Sequence, residues 1–282
     1  MKILFISLGC DKNLADSEEM LGLLTGNGHE IVDSEEEADA IVINTCCFIH
    51  DAKEESVNTI LEMAEYKKTG TCKILIVTGC MAQRYKEEIT EEIPEVDAVL
   101  GTTSYGDIVK ALNEAEAGHV FQEFKDINAL PEDSGRRVIT TGGHFGYLKI
   151  AEGCDKHCTY CIIPSLRGKF RSVPEERLLK QAEYMASQGV RELILVAQET
   201  TVYGTDLYGK KTLHILLKKL CQIKGIRWIR VLYCYPEEIY DELIQVMKEE
   251  KKICHYLDLP IQHASDRILK RMGRRTSKAQ LV

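Results

Sequence analysis

The 282-residue sequence has no long uninterrupted hydrophobic run. No apolar stretch approaches the roughly 20 residues that a membrane-spanning helix needs, so we expect no membrane span. The N-terminal run ILFISLG supplies only about seven residues after a single basic residue, which disfavours a secretion signal. We interpret residues 2–9 instead as a buried first strand with Cys10 at its end.

The 11 cysteines do not form a paired framework. Their number is odd and they are scattered along the chain, unlike the cysteines of small secreted scaffolds that are held together by disulfides. This usage indicates reduced thiols and metal ligands in a reducing compartment, and we therefore expect a cytoplasmic protein. The composition is 44% apolar, which is enough to fill a core.

Acidic and basic residues are unevenly distributed. Residues 1–135 contain 10 Lys and Arg against 28 Asp and Glu, a net charge of −18, whereas residues 136–282 have a net charge of +10. Such a break predicts two domains with different surfaces. Turn-forming residues are concentrated in 126–146, where we place the linker. The predicted domains are residues 1–135 and residues 140–282.

Both halves alternate short apolar runs with stretches of helical periodicity. The apolar runs are residues 2–9, 39–45, 73–79 and 96–101 in the first half, and 147–153, 192–198, 228–235 and 255–262 in the second. Short, continuous apolar strands between helices indicate parallel sheets that helices cover. We predict an α/β protein, with a doubly wound parallel-sheet domain followed by a β/α partial barrel that is truncated at its C-terminus.

One cysteine motif is strong. Cys154, Cys158 and Cys161 form a CxxxCxxC pattern directly after a strand-like run, and we call them the barrel triplet. Three thiolates on one loop can hold three irons of a 4Fe-4S cluster and leave the fourth iron open to a ligand. The alternative is a structural zinc site, although zinc favours paired CxxC knuckles and His157 is too close to be an easy fourth ligand. Tyr160 either packs against a bound nucleoside or fills the core.

A second group of cysteines carries a weaker signal. Cys10, Cys46 and Cys80, the sheet triplet, each follow a different strand-like run. Because the carboxyl ends of parallel strands share one edge of a sheet, we expect these thiols to converge there. The hypothesis is a second 4Fe-4S cluster with an open iron, and the alternative is three core cysteines. Asn13 and Asn44 flank this edge, either hydrogen-bonding cluster sulfurs and ligating loops or capping turns.

The two triplets together resemble the radical S-adenosylmethionine (SAM) methylthiotransferases, which carry a three-cysteine domain before a radical SAM domain. The matching segments, from position 7 to position 275, are SLGCDKNLADSE, NTCCFI, TGCMAQRY, GCDKHCTYCIIPSLRGKFRS, AQETTVYG and LDLPIQHASDRILKRMGRR. The opening LGCDKNLADSE is more similar to the ribosomal-protein branch than to the tRNA branch. Cys47 departs from the family, which usually has Gly there, and we retain Cys46 as the ligand. The predicted non-ligands are Cys47, Cys72, Cys221, Cys234 and Cys254.

The resemblance implies insertion of a methylthio group at the β-carbon of an aspartate in a small-subunit ribosomal protein. It implies two 4Fe-4S clusters, with SAM on the barrel-triplet cluster as the radical source and the sheet-triplet cluster presenting sulfur. It further implies an electron donor such as flavodoxin or ferredoxin, and we expect a monomer. The alternatives are a tRNA adenosine methylthiotransferase and, from another class, a non-catalytic iron–sulfur or zinc protein. The small C-terminal β-barrel typical of the family has no counterpart in this sequence.

Further contacts to SAM are also implied by the resemblance. Gln198 and Glu199 end the second barrel strand, where this superfamily often binds the SAM amino group. Gln262 and Ser265 follow a later strand and are predicted, with Tyr160, to line the same pocket. The alternative for these residues is ordinary loop polarity. The basic run at 267–275 either touches RNA phosphates or is a solvated helix face.

Overall fold

The computed structural model describes residues 1–132 and 134–281. The chain divides into two compact units, Met1–Val138 and Ile139–Val282. Both units alternate strands and helices, so the predicted α/β class is confirmed. Within the described residues, no helix is long and apolar enough to cross a membrane.

A parallel sheet organises the first unit. Its strands in the described residues are β1 (Lys2–Ser7), β2 (Glu30–Val32), β3 (Ala40–Thr45), β4 (Ile74–Gly79), β5 (Ala98–Leu100) and β6 (Phe121–Glu123). Their spatial order is β2-β1-β3-β4-β5-β6, and all neighbours run parallel. The strand order therefore reverses between β1 and β3, which makes that edge a topological switch point.

Helices cover this sheet. The described helices of the first unit are α1 (Asp11–Gly26), α2 (His50–Thr69), α3 (Cys80–Arg84), α4 (Lys86–Glu92) and α5 (Ile108–Glu116). Strands β3 and β4 are buried at every position, as expected for central parallel strands with helices on both faces. Met20 and Leu24 of α1 pack with Ile108 and Leu112 of α5 in the main apolar cluster.

The end of the first unit is held against α1. Arg137 donates hydrogen bonds from Nε and Nη2 to the Glu18 carboxylate, at 2.8 and 2.6 Å, and both side chains are buried. The backbone N–H of Val138 donates to the Glu18 carbonyl at 3.0 Å. This part of the predicted linker is therefore a packed segment.

The second unit is built around a second parallel sheet. Its described strands are β7 (Phe145–Lys149), β8 (Ala151–Glu152), β9 (Arg171–Ser172), β10 (Glu192–Val196), β11 (Trp228–Val231) and β12 (Ile253–Leu257). Strands β7, β10, β11 and β12 lie side by side in chain order, the arrangement of a β/α barrel segment. The predicted partial barrel is thus confirmed. Strands β8 and β9 form a separate antiparallel pair.

Helices follow the strands of the second unit. Those described are α6 (Ile163–Arg167), α7 (Glu175–Ser187), α8 (Thr205–Tyr208), α9 (Leu213–Leu220), α10 (Asp241–Glu249), α11 (Asp266–Arg271) and α12 (Lys278–Leu281). The loop that carries the barrel triplet lies between β8 and α6. The segment that follows α11 packs against this loop, because the Thr159 N–H donates to the Met272 carbonyl at 3.0 Å.

Candidate functional sites

The sheet triplet lies at the carboxyl ends of neighbouring strands. Cys10 follows β1 as the N-cap residue of α1, Cys46 follows β3, and Cys80 begins α3 directly after β4. The segment before Cys10 touches Cys46, since a Cβ built on Gly9 would lie 3.0 Å from Cys46 Sγ. The three cysteines thus occupy the switch-point edge, where ligands of doubly wound sheets bind.

Asn13 links the segments that carry these cysteines. Its Nδ2 donates to the Leu8 carbonyl at 3.1 Å and to the Thr45 carbonyl at 2.9 Å, while its Oδ1 accepts from the Cys80 thiol at 3.8 Å. Asn44 Nδ2 in turn donates to the Asn13 carbonyl at 2.9 Å. Asn13 therefore hydrogen-bonds the segments that carry the triplet, one of the two roles that the sequence left open, whereas Asn44 holds the start of α1 against β3.

Cys47 lies beside the sheet triplet in a different environment. Its thiol donates to the Cys80 carbonyl at 3.3 Å, and the residue is buried. Burial, together with the charges of Cys80 and Cys46, raises the pKa of the Cys47 thiol to about 12. Burial raises the thiol pKa of predicted ligands and of Cys47 alike, so Cys47 stays a predicted non-ligand.

No three His, Cys, Asp or Glu side chains in residues 1–132 and 134–281 converge closely enough to ligate one metal ion. A structural zinc ion requires its sulfurs to meet at about 2.3 Å from a single point. A cubane cluster instead places each thiolate on a different iron, so its ligands lie farther apart. The two alternatives thus differ in the ligand spacing that they require.

The barrel triplet is carried by a tight loop. The Lys156 N–H donates to Cys154 Sγ at 3.4 Å, and the Cys161 N–H donates to the Cys158 carbonyl at 3.0 Å. Burial raises the pKa of the Cys154 thiol to about 11 and also raises that of Cys161, and the neighbouring thiols add to both shifts. Cys154 therefore lies close enough to both other thiols of the triplet for their charges to raise its pKa.

Gln198 and Glu199 follow β10 and present unused acceptors. Gln198 Nε2 donates to Glu152 Oε1 at 3.2 Å, while Gln198 Oε1 is buried without a hydrogen-bond partner in the described chain. Glu199 Oε1 accepts from the Thr201 N–H at 3.1 Å, and its Oε2 is likewise buried and unbonded among those residues. Burial raises the pKa of Glu199 to about 7. Two orphaned acceptors suit a cationic donor such as an ammonium group.

The other predicted SAM contacts are more exposed. Gln262 and Ser265 lie on the loop after β12, and no hydrogen bond within the described residues links their side chains to Gln198 or Glu199. Tyr160 is half-exposed beside Cys158, and burial raises the pKa of its hydroxyl to about 12. The structure therefore leaves the roles of these three residues as predictions.

Glu152 organises a buried ion cluster that the sequence did not reveal. Its Oε2 accepts from Arg167 Nη1 at 3.0 Å and from Lys149 Nζ at 3.4 Å. Burial opposes ionisation, but the two cations outweigh it and hold the pKa of the Glu152 carboxyl well below its usual range. The other oxygen of this carboxylate, Oε1, accepts the hydrogen bond from Gln198 Nε2 and so fixes the Gln198 side chain. Nothing in the sequence indicated this role, because a Glu two residues before the predicted ligand Cys154 is not part of a recognisable motif.

Arg274 is the second residue that sequence reasoning missed. The basic run at 267–275 was interpreted as an RNA-binding or solvated face, but Arg274 is buried next to the barrel triplet. Arg271 and Arg275 are exposed and agree with the solvated alternative. The run contained one available signal: Gly273 follows the end of α11 at Arg271 and turns the chain with φ +73°, so the Arg274 side chain leaves the helical face.

Two family models match the chain. The model of the uncharacterized protein family UPF0004 matches residues 2–101, and that of the Radical SAM superfamily matches residues 148–282. The first match includes the sheet triplet and the second includes the barrel triplet. The chain therefore joins these two kinds of domain in the order that the resemblance implied.

Curated relatives match the chain along its whole length. The ribosomal protein uS12 methylthiotransferase RimO of Lachnoclostridium phytofermentans is 68% identical over 282 residues, which is all of this chain and 64% of that protein. Proteins of the same name from Clostridium botulinum (strain Eklund 17B) and Clostridioides difficile are 54% and 52% identical, over 63% and 64% of their own lengths. The chain thus spans about 64% of the length of these relatives.

Solved structures share the fold at low sequence identity. The cobalamin-dependent SAM radical enzyme OxsB is 15% identical, with a TM-score of 0.61 over 99% of this chain and 46% of that chain. The radical SAM methyltransferase TsrM from Kitasatospora setae is 11% identical, with a TM-score of 0.65 over 99% of this chain and 63% of that chain. Both units match relatives that are more than half identical over the aligned residues, so this chain is similar along its whole length to the radical SAM methylthiotransferases of the RimO branch.

Proposed function

We propose that this chain is the catalytic part of a radical SAM methylthiotransferase that adds a methylthio group to the β-carbon of an aspartate in ribosomal protein uS12. The observation that carries the proposal is the presence of two cysteine triplets in one chain, the sheet triplet at the carboxyl ends of parallel strands and the barrel triplet on the loop after β8. The 68% identity to a relative named for this activity supports the branch and the substrate.

The residues fit the cofactors that the reaction needs. The sheet triplet and the barrel triplet would each hold one 4Fe-4S cluster, and each thiol loses its proton when it binds iron. The orphaned oxygens of Gln198 and Glu199 would accept hydrogen bonds from the SAM amino group. When bound, the clusters and SAM supply the radical and sulfur chemistry of methylthiolation. We assign Tyr160, Gln262 and Ser265 to the lining of the SAM pocket.

The acidic surface charge of the first unit supports the assignment of a basic protein as the substrate. Residues 1–135 have a net charge of −18, and such a field steers the encounter with a basic partner such as a ribosomal protein. A tRNA would be repelled by the same field. The proposal further includes a cytoplasmic location, a monomeric enzyme, and a flavodoxin or ferredoxin as electron donor.

The substrate is tested by supplying both candidates to the same full-length enzyme. We expect methylthio transfer to isolated ribosomal protein uS12, detected by mass spectrometry, and none to purified tRNA. The same tRNA treated with a tRNA methylthiotransferase is the positive control. Product on tRNA alone would replace the protein substrate by the rival adenosine substrate.

The cluster assignment is tested with Cys10→Ala and Cys154→Ala in the full-length protein after anaerobic reconstitution. Each variant is expected to lose one cluster, about half of the bound iron and sulfide, because each removes a ligand of a different site. Release of 5′-deoxyadenosine from SAM should be abolished in Cys154→Ala and persist in Cys10→Ala. Cys254→Ala, a predicted non-ligand, should keep both clusters. Stoichiometric zinc, or the same loss in both variants, contradicts the assignment.

A further inference from the structure

Arg274 places a positive charge beside the barrel triplet. It lies just after α11, and its side chain is 1% exposed. The guanidinium stacks on Tyr235, with Cζ 4.1 Å from the ring centroid, and interacts with the thiol of Cys158. Its Nη2 donates to the Pro260 carbonyl at 3.1 Å. The planar group is thus held between an aromatic ring and a main-chain acceptor.

Two donors of this guanidinium are unused. Arg274 Nε and Nη1 are buried and have no hydrogen-bond partner among residues 1–132 and 134–281. The Glu237 carboxylate is 3.8 Å from Nη2, too far for a hydrogen bond. A buried guanidinium with unsatisfied donors is costly. Such donors indicate an anionic acceptor beside Cys158 that forms only when the site is loaded.

The environment of Cys158 differs from that of the other two thiols. The hydroxyl of Tyr235 lies 3.9 Å from Cys158 Sγ, and the Tyr160 hydroxyl and the Arg274 guanidinium also interact with this thiol. Cys154 and Cys161 interact instead with backbone N–H groups of their own loop. The two tyrosine hydroxyls and the Arg274 guanidinium therefore all lie next to Cys158, one of the three predicted cluster ligands.

The position of Arg274 is fixed from both sides. Before it, the Met272 carbonyl accepts from the Thr159 N–H at 3.0 Å, which joins the segment to the cysteine loop. After it, the Thr276 hydroxyl donates to the Glu237 carboxylate. A cavity of about 110 Å³ remains between the cysteine loop and Arg274, lined also by His157 and Tyr235. The guanidinium is therefore preorganised rather than able to swing into solvent.

We propose that Arg274 is a positioning residue that donates hydrogen bonds from Nε and Nη1 to the Cys158 thiolate and the adjacent cluster sulfur, and so raises the reduction potential of the cluster. The inference rests on the proposed function, because it requires a 4Fe-4S cluster on the barrel triplet. Reduction adds one electron from a low-potential donor to a site that is already rich in negative charge. A fixed cation in a low-dielectric environment stabilises the added charge, and hydrogen bonds to ligand sulfurs act in the same direction.

The test compares Arg274→Met and Arg274→Lys with wild type in the reconstituted full-length protein without SAM. Arg267→Met, which removes an exposed cation from α11 in the same basic run, is the matched control. Iron content reports cluster retention, and a reductive titration followed by electron paramagnetic resonance gives the midpoint potential. We expect a more negative midpoint for Arg274→Met, a smaller shift for Arg274→Lys, and no shift for Arg267→Met.

The outcomes separate this inference from the proposed function. A wild-type protein without a cluster on the barrel triplet contradicts the proposed function. Full iron content with an unchanged midpoint in Arg274→Met overturns the role of Arg274 alone. If Arg274→Met loses the cluster, the inference is tested by the midpoint potential of the Arg274→Lys variant. A potential equal to that of the wild type overturns the inference. Weaker SAM binding with no change in potential would assign the guanidinium to SAM instead and would also overturn it.

Discussion

Gly79→Ala is expected to lower the free energy of unfolding of the first unit by about 3 kcal/mol or more. Gly79 ends β4 with φ +94° and ψ −158°, a region that essentially only glycine adopts. A Cβ there would lie 2.3 Å from Asn44 Oδ1 and 2.5 Å from the Thr45 carbonyl oxygen. Both atoms belong to the neighbouring strand, so the overlap can be relieved only by moving β4 away from β3.

The same displacement would move Cys80, the next residue. We therefore expect Gly79→Ala to lose the cluster of the sheet triplet and to keep that of the barrel triplet, as measured by iron content. Urea unfolding followed by circular dichroism gives the stability change. Gly106→Ala is the control, since a Cβ there meets no atom within 4 Å, and its effect should stay within about 0.5 kcal/mol. Unfolding of Gly79→Ala at the wild-type urea concentration would contradict the argument.

Glu152→Gln is expected to destabilise the second unit by about 3–5 kcal/mol, the usual effect of removing one partner of a buried ion pair. The substitution keeps the shape of the side chain and removes its charge. Lys149 and Arg167, with side chains 8% and 2% exposed, are then left as buried cations without their carboxylate. The anchor of Gln198 is weakened at the same time, because Glu152 Oε1 accepts its amide N–H.

Urea unfolding of Glu152→Gln and wild type measures this cost. Glu249→Gln is the control for a lost charge, since its partner Lys218 lies in an exposed pair, and we expect a loss of less than about 1 kcal/mol. Adding Lys149→Met to Glu152→Gln should recover part of the loss, because it removes one of the two buried charges that Glu152 balances. Equal effects of the Glu152 and Glu249 variants would show that the buried cluster does not stabilise this unit.

The sequence predicted strands where the apolar runs were continuous. Strands β1, β3, β4 and β5 fall within predicted runs, as do β10 and β11 of the barrel sheet, whereas β7 and β12 each begin two residues before the predicted run. Strands β2 and β6 were missed because each has three partly exposed residues, too few for a pattern. The run at 147–153 was predicted as one strand, but β8 leaves the main sheet to pair with β9. That pairing depends on a partner about 20 residues later in the chain.

The residues of the candidate sites likewise include some that the sequence located and some that it did not. The cysteines of the sheet triplet could be located at one edge from sequence because parallel strands align their carboxyl ends. The contacts of Asn13 with that edge were anticipated only as one of two alternatives. Glu152 and Arg274 were not found, since neither belongs to a motif and each acts through neighbours that are distant in sequence.

The sequence by itself determined the family resemblance, the α/β class and the spacing of both cysteine triplets, because spacing and apolar runs are properties of consecutive residues. The tertiary structure alone decided which polar groups are buried, namely the unbonded acceptors of Gln198 and Glu199, the paired ions around Glu152, and the unbonded Arg274 donors beside Cys158. Desolvation depends on everything that packs around a group, and that packing brings together segments from opposite ends of a domain.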